Sequence, residues 1–206
     1  VGERFTRSLS TYTQHAHAQR LIADRLASLM ASLTGKDAVM RSLIEIGSGT
    51  GLFTKAWSEL VKADQAHFMD LCDMPEYGVA RHEIYTRADA EREIERLAEA
   101  EENSVDAIVS ASAIQWFSNP QRFLSNCHRL LRHGGILAMS TFAPGNLEEL
   151  HGLRADPMYY PEADDMRSWL LNYSEAEVKE ERVTVEFGTP IEALRHLRLT
   201  GVTGSG

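Results

Sequence analysis

The apolar run Met40–Ile46 passes straight into a turn with glycine at alternate positions, Gly47, Gly49 and Gly51, and a helical pattern begins at Leu52. Few folds accept a strand that breaks on such a turn and opens directly into a helix. Glycines let the backbone bend sharply and let a ligand approach with no Cβ in the way. The helix beyond presents free N–H groups at its start, which suits a carboxylate or a phosphate. The same rhythm continues downstream. Apolar runs recur at Ala66–Leu71, Glu83–Thr86, Val105–Ser110 and Gly135–Thr141, separated by helical stretches at Leu52–Lys62, Met74–Ala80, Ala90–Ala100 and Pro120–Arg132. This alternation predicts crossover units and a parallel sheet covered on both faces. Right-handed crossovers make it a doubly wound, Rossmann-like α/β domain.

The flanks behave differently. Leu9, Tyr12, Ala16, Leu21, Ile22, Leu26, Leu29, Met30 and Leu33 keep roughly helical spacing and stop near Gly35, which predicts an N-terminal helical cap over residues 1–35. The core then covers 36–142. From 143 to 206 the rhythm breaks into a lid and C-terminal part. Ala143–Pro161 holds Pro144, Gly145, Gly152, Pro157 and Pro161 and reads as a loop-rich lid. Asp164–Leu171 reads as a short helix, Val178–Phe187 as an exposed strand, and Thr189-Pro190 as the start of a helix ending at Gly201.

The chain of 206 residues suits one domain. No apolar run nears the roughly 18 residues a membrane span needs, no signal peptide is visible, and Cys72 and Cys127 make no disulfide framework. A cytoplasmic protein without a membrane role is expected. The net charge of −9 argues against a nucleic-acid surface, which needs a basic stripe.

The spacing of the turn separates two cofactors. Dinucleotides favour a third glycine where this sequence has Leu52, whereas Glu45-x-Gly47-x-Gly49-x-Gly51 is the pattern that accommodates the amino-acid end of S-adenosylmethionine (SAM). Ser48 belongs to the same loop. Asp70, with Leu71 beside it, ends the second strand about twenty positions on, where a carboxylate accepts both ribose hydroxyl protons; Asp73 fits less well. Asp89, with the Ala90 N–H, is placed to meet the adenine, or Asp89 caps the next helix, and the two roles are compatible. Ser110 and Ala111 are small enough to line the cofactor, and Asp106 reads as structural. Gln115 and Trp116 are large enough to touch a substrate, with a core tryptophan as the other reading of Trp116.

Taken together, several segments resemble the malonyl-acyl-carrier-protein O-methyltransferases of biotin synthesis. They are Val105–Ser110 followed by Ala113-Ile114-Gln115-Trp116, then Leu131–Ala138, then Ser140–Leu150. Arg4-Phe5, Ser8, Thr11-Tyr12 and His15-Ala16 are similar to that family's N-terminal helix, and Leu194–Val202 to a late helix. The resemblance implies a class I SAM-dependent enzyme that esterifies the free carboxylate of malonyl-acyl-carrier protein or malonyl-CoA, with S-adenosylhomocysteine as the other product. It also implies a final strand completing a seven-stranded sheet, which is missing from this sequence. The nucleophile is a carboxylate already ionised at neutral pH, so positioning replaces general-base catalysis. Tyr12, Gln115, Trp116 and Thr141 are the expected lining. His196 or Arg195 would be the counter-charge, and His196 on an apolar helix reads equally as a satisfied core residue. An acidic carrier would dock on a basic patch, either Arg122, Arg129 and Arg132 on one helix surface, or Arg195 with Arg198, unless these are solvated faces. A trans-aconitate-type carboxyl methyltransferase is the nearest rival, a methyltransferase of quinones or small amines a weaker one, and a non-catalytic SAM-binding partner subunit the alternative of another class. Neither a metal nor a membrane enters any of these readings.

Overall fold

The computed structural model describes residues 17–35, 38–146, 148 and 160–199, the last four as backbone only. Five parallel strands form one sheet: β1 (Val39–Ile46), β2 (Lys62–Asp70), β3 (His82–Arg87), β4 (Val105–Ala111) and β5 (Leu131–Ser140), in the order β3-β2-β1-β4-β5. The order reverses between β1 and β4. Their carboxyl ends splay around a crevice there, the place where open α/β sheets bind ligands.

Burial on both faces follows the strand alternation. Leu43, Ala66, Phe68, Ala107 and Val109 face helices α1 (His17–Thr34) and α2 (Leu52–Ser58), packing on Ala23, Ala27, Met30, Phe53 and Trp57. Ile44, Ile46, Met69 and Ile108 face α3 (Ala90–Ala100) and α4 (Pro120–Leu130), against Ile94, Ala98, Phe123, Leu124 and Leu130. The doubly wound α/β architecture is therefore present, with α1 as the N-terminal helix. Asp89 and Asn119 cap α3 and α4, accepting from Glu91 N–H and Arg122 N–H.

Several expectations are corrected. Met74–Ala80 is not a helix. Gly78 sits at φ +67°, and the Glu83 carboxylate accepts N–H bonds from Gly78, Val79 and Ala80, which a helix would direct elsewhere. Tyr77 fills the space instead, its ring 4.7 Å from that of Phe68. Helix α2 stops at Ser58 because Leu60 and Val61 both donate back to the Trp57 carbonyl. Helix α4 stops at Leu130, so Arg132 lies on β5. The strand expected at Val178–Phe187 makes no ladder, since alternation supplies no neighbouring edge. Helix α5 (Ala163–Trp169) and helix α6 (Pro190–Leu199) occur where the spacing predicts them, α6 with its Thr189 cap. No described helix is long and apolar enough to cross a membrane.

Candidate functional site

The turn after β1 is built by positive backbone angles at Gly47, Gly49 and Gly51. A Cβ on Gly47 would lie 2.6 Å from the Ala113 Cβ, and one on Gly51 2.5 Å from the Tyr77 ring. Glycine is needed for space as well as for angle. The three amide N–H groups are already engaged: Gly47 donates to the Met69 carbonyl at 2.7 Å, Gly49 to Asp70 Oδ2 at 2.9 Å, and Gly51 to the Ser48 carbonyl at 2.8 Å. Asp70 also accepts from Cys72 N–H at 2.9 Å. One carboxylate thus ties the loop to the end of β2. Burial pushes the Asp70 carboxyl above its usual range, against the opposing pull of these N–H bonds. The Tyr77 hydroxyl donates to the Gly49 carbonyl at 2.9 Å and pins the loop from the other side.

Above the loop lies a small open cleft walled by Gln19 and Ala23 of α1, by Gly47–Thr50, and by Ala111 and Ser112 at the end of β4. Ser112 holds φ +57°, a conformation costly for a residue with a side chain and typical of functional sites. Its N–H is held by the Ser140 carbonyl at 3.0 Å. That kink throws the chain into a single turn, Ile114–Trp116. Gln115 Nε2 donates to the Ser112 carbonyl at 2.6 Å, and the Thr141 hydroxyl donates to Gln115 Oε1 at 3.3 Å. Gln115 and Thr141 are thereby joined at the carboxyl ends of β4 and β5. Trp116, 36% exposed, is not a core residue.

The remaining expected residues are placed as follows. Glu45 lies on the α2 side of β1, enclosed and bonded to the Thr54 hydroxyl (2.9 and 3.0 Å) and Trp57 Nε1 (2.6 Å). Its carboxylate anchors α2 instead of meeting the cleft. Ser110 is fully buried and donates to the Ile46 carbonyl, so β4 presents Ala111 and Ser112 to the cleft. Ser48 donates to Met74 Sδ, and Leu71 is 47% exposed. Asp89 caps α3 through Glu91 N–H, with Ala90 buried behind it. Asp106 is structural as read, accepting from Arg41 and Ser42 N–H and from Arg132. Tyr12 and the side chains of His196 and Arg198 lie outside the described residues.

The patch of Arg122, Arg129 and Arg132 is corrected: each is paired, with Glu95, Glu102 and Asp106 respectively. Arg87 likewise pairs with Asp73. Gln19, Thr50, Tyr77 and Ser112 belong to the site without being singled out by the sequence. Tyr77 lies inside a stretch whose spacing predicts a helix. Gln19 shares the buried stripe with Ala23, Leu26, Ala27 and Met30, and a polar residue on an apolar stripe was the available signal.

Comparison with known proteins agrees with this geometry. A methyltransferase-domain family model matches residues 44–139. The whole chain is 33% identical to a malonyl-[acyl-carrier protein] O-methyltransferase of Porphyromonas gingivalis and 31% identical to one of Haemophilus influenzae, spanning 78% of each. Among solved structures, a SAM-dependent methyltransferase from Archaeoglobus fulgidus matches with a TM-score of 0.55 at 14% identity, over 89% of this chain and 86% of its own. A [4+2]-cyclase matches with a TM-score of 0.53 at 22% identity, over 71% of this chain and 54% of its own. Proteins of different activity thus share the fold, and fold alone does not select a reaction. Identity along the entire sequence is the narrower evidence, and by it the chain belongs to the malonyl-[acyl-carrier protein] O-methyltransferase family.

Proposed function

We propose that this protein transfers a methyl group from SAM to the free carboxylate of a malonyl thioester carried on acyl-carrier protein, the step that disguises the malonyl group for biotin synthesis. The observation that carries the reading is the 33% identity, across the full chain, to a relative named for this reaction. Residues 1–206 act as one domain in it, in the cytoplasm, where the buried Cys72 and Cys127 stay out of any disulfide.

The cleft fits the cofactor. Its floor is the glycine loop, and the buried polar atoms of Gln19 and Thr50 that border it lack protein partners. Gly47–Gly51, Asp70 with Leu71, Asp89 with Ala90, and Ala111 would hold it, Asp70 at the ribose and Asp89 near the adenine. SAM supplies a methyl group on a sulfonium that departs as a neutral thioether. The chain's own task is to orient the acceptor carboxylate and keep water away. Gln115 and Thr141 offer an amide and a hydroxyl for that purpose, with Trp116 as an apolar wall. His196 and Tyr12 complete the proposed lining. No proton has to be removed, since the substrate carboxylate is ionised at neutral pH.

Incubating the protein with labelled SAM and malonyl-acyl-carrier protein, malonyl-CoA or trans-aconitate tests the reading. Label should enter a malonyl thioester as a base-labile methyl ester; transfer to trans-aconitate alone would replace this function by the small-molecule one. Gln115→Ala should cut kcat/KM for the malonyl thioester about tenfold or more while leaving S-adenosylhomocysteine affinity within about threefold. Wild-type turnover in that variant would remove Gln115 from the acceptor site.

A further inference from the structure

The chain leaves β4 through a backbone conformation that few residues with a side chain adopt. Among the described residues two non-glycines hold positive φ, Asn103 at +58° and Ser112 at +57°. Asparagine visits that region readily in a turn, whereas serine has no such preference. Both backbone groups of Ser112 are nonetheless engaged. Its N–H donates to the Ser140 carbonyl at 3.0 Å and to Ser140 Oγ at 3.2 Å, one residue past the last β4–β5 pair, Ala111 with Ser140. Its carbonyl accepts from Gln115 Nε2 at 2.6 Å. In an extended strand the N–H and C=O of one residue face the same neighbouring strand. The left-handed turn at Ser112 is what releases its carbonyl from β5 and lets Gln115 reach it.

The turn that follows is fixed on each side. A Cβ on Gly47 would lie 2.6 Å from the Ala113 Cβ, so Ala113 sits hard against the glycine loop. Ile114 is buried in the core cluster with Ile94 and Phe123, and the Phe117 ring meets that of Phe123 at 4.6 Å. The two contacts of Gln115 also decide which end of its amide is which. A carbonyl oxygen only accepts, so the group beside Ser112 is the NH2, and the amide oxygen faces the Thr141 hydroxyl at 3.3 Å. The second N–H of that NH2 takes no partner among the described residues. It suits a ligand group that only accepts, as an ionised carboxylate does.

We propose that Ser112 is a positioning residue for methyl transfer: its left-handed backbone, held by Ser140, sets the Gln115 amide so that the free N–H meets the acceptor carboxylate. The inference rests on the reading that a carboxylate is methylated beside Gln115. It gives the end of β4 a part in choosing the acceptor, separate from the part the glycine loop plays in holding the cofactor.

Methyl-transfer kinetics with malonyl-acyl-carrier protein and calorimetry with S-adenosylhomocysteine, both on the full chain, test this. A β-branched residue resists positive φ and glycine adopts it freely. Ser112→Val should therefore lie about tenfold or more below Ser112→Gly in kcat/KM, with the S-adenosylhomocysteine affinities of the two within about threefold. Placed in a Gln115→Ala background, Ser112→Val should cost less than about threefold more, because the group it positions is already gone. Gln115→Glu, which exchanges the presented donor for an acceptor, should turn over more slowly than Gln115→Ala. Should Ser112→Val fail to fold, Ser112→Ala replaces it and should lie about threefold or more below Ser112→Gly. Ser112→Val or Ser112→Ala matching Ser112→Gly would overturn the proposal. So would equal losses in methyl transfer and S-adenosylhomocysteine binding, losses that simply multiply in the double variant, or Gln115→Glu turning over as fast as Gln115→Ala. If the wild-type protein methylates neither malonyl-acyl-carrier protein nor trans-aconitate, the function reading itself falls and this role with it.

Discussion

Asp70→Ala should weaken S-adenosylhomocysteine binding by about a hundredfold or more, the largest loss expected from one side chain of the site. Two effects combine. The carboxylate now accepts from Gly49 N–H and Cys72 N–H, both at 2.9 Å, and so holds the glycine loop against the end of β2. Its removal leaves two N–H groups unpaired in a partly buried place and loosens the turn that forms the cleft floor. The proposed grip on the ribose diol is lost as well. Charge-assisted hydrogen bonds contribute about 1.5–3 kcal/mol each, so losing two is enough to account for the stated factor. Asp70→Asn keeps one oxygen acceptor and should fall between, at about tenfold. Calorimetry decides: an Asp70→Ala protein that binds within about threefold of wild type would take Asp70 out of the site.

Glu45→Gln should make the protein more stable at pH 8 and nearly unchanged at pH 4. Burial is the main cause that pushes the Glu45 carboxyl from 4.5 to about 7, opposed by the Trp57 and Thr54 hydrogen bonds and helped by the nearby Asp70 charge. The folded state therefore favours the protonated acid. The stability this contributes is complete below about pH 4.5 and is lost as the pH rises through about 7. A shift of about 2.5 units corresponds to ~3 kcal/mol between the two ends of that window. Glutamine has the same shape, accepts from Trp57 and donates to Thr54, but never ionises. Urea unfolding of both proteins at pH 4, 5, 6, 7 and 8 isolates the effect, because the other titrating groups are common to the pair. A stability difference that stays constant across that range would show that Glu45 does not titrate there. The loss for Trp57→Ala, by contrast, should be present at every pH, since its ring is fully buried in the core.

The features legible in the sequence are those written in short-range pattern. Apolar runs and helical spacing located the five strands and most helices, because a strand buried on two faces must be apolar throughout. The misreadings share one cause. Met74–Ala80 carries helical spacing, yet its N–H groups are claimed by Glu83, which lies on the next strand. Val178–Phe187 alternates as a strand does but finds no edge to pair with. Arg122, Arg129 and Arg132 look like a basic surface until Glu95, Glu102 and Asp106, between 26 and 27 positions away, are seen beside them. Gln19 reads as an ordinary polar residue until the glycine loop closes beneath it.

By itself, then, the sequence determined the doubly wound α/β class, the glycine turn with its acidic follower Asp70, and the family to which the whole chain is similar. Periodicity and turn chemistry act between near neighbours, so a linear text carries them. Tertiary structure alone decided which groups are engaged and which remain free for a ligand. It turned Glu45 toward Trp57, set Asp70 against Gly49, joined Gln115 to Thr141, and left Gln19 and Thr50 unpartnered at one cleft. Those outcomes depend on contacts across long loops, and hydrogen-bond satisfaction in a buried site is a property of the assembled surroundings of each atom.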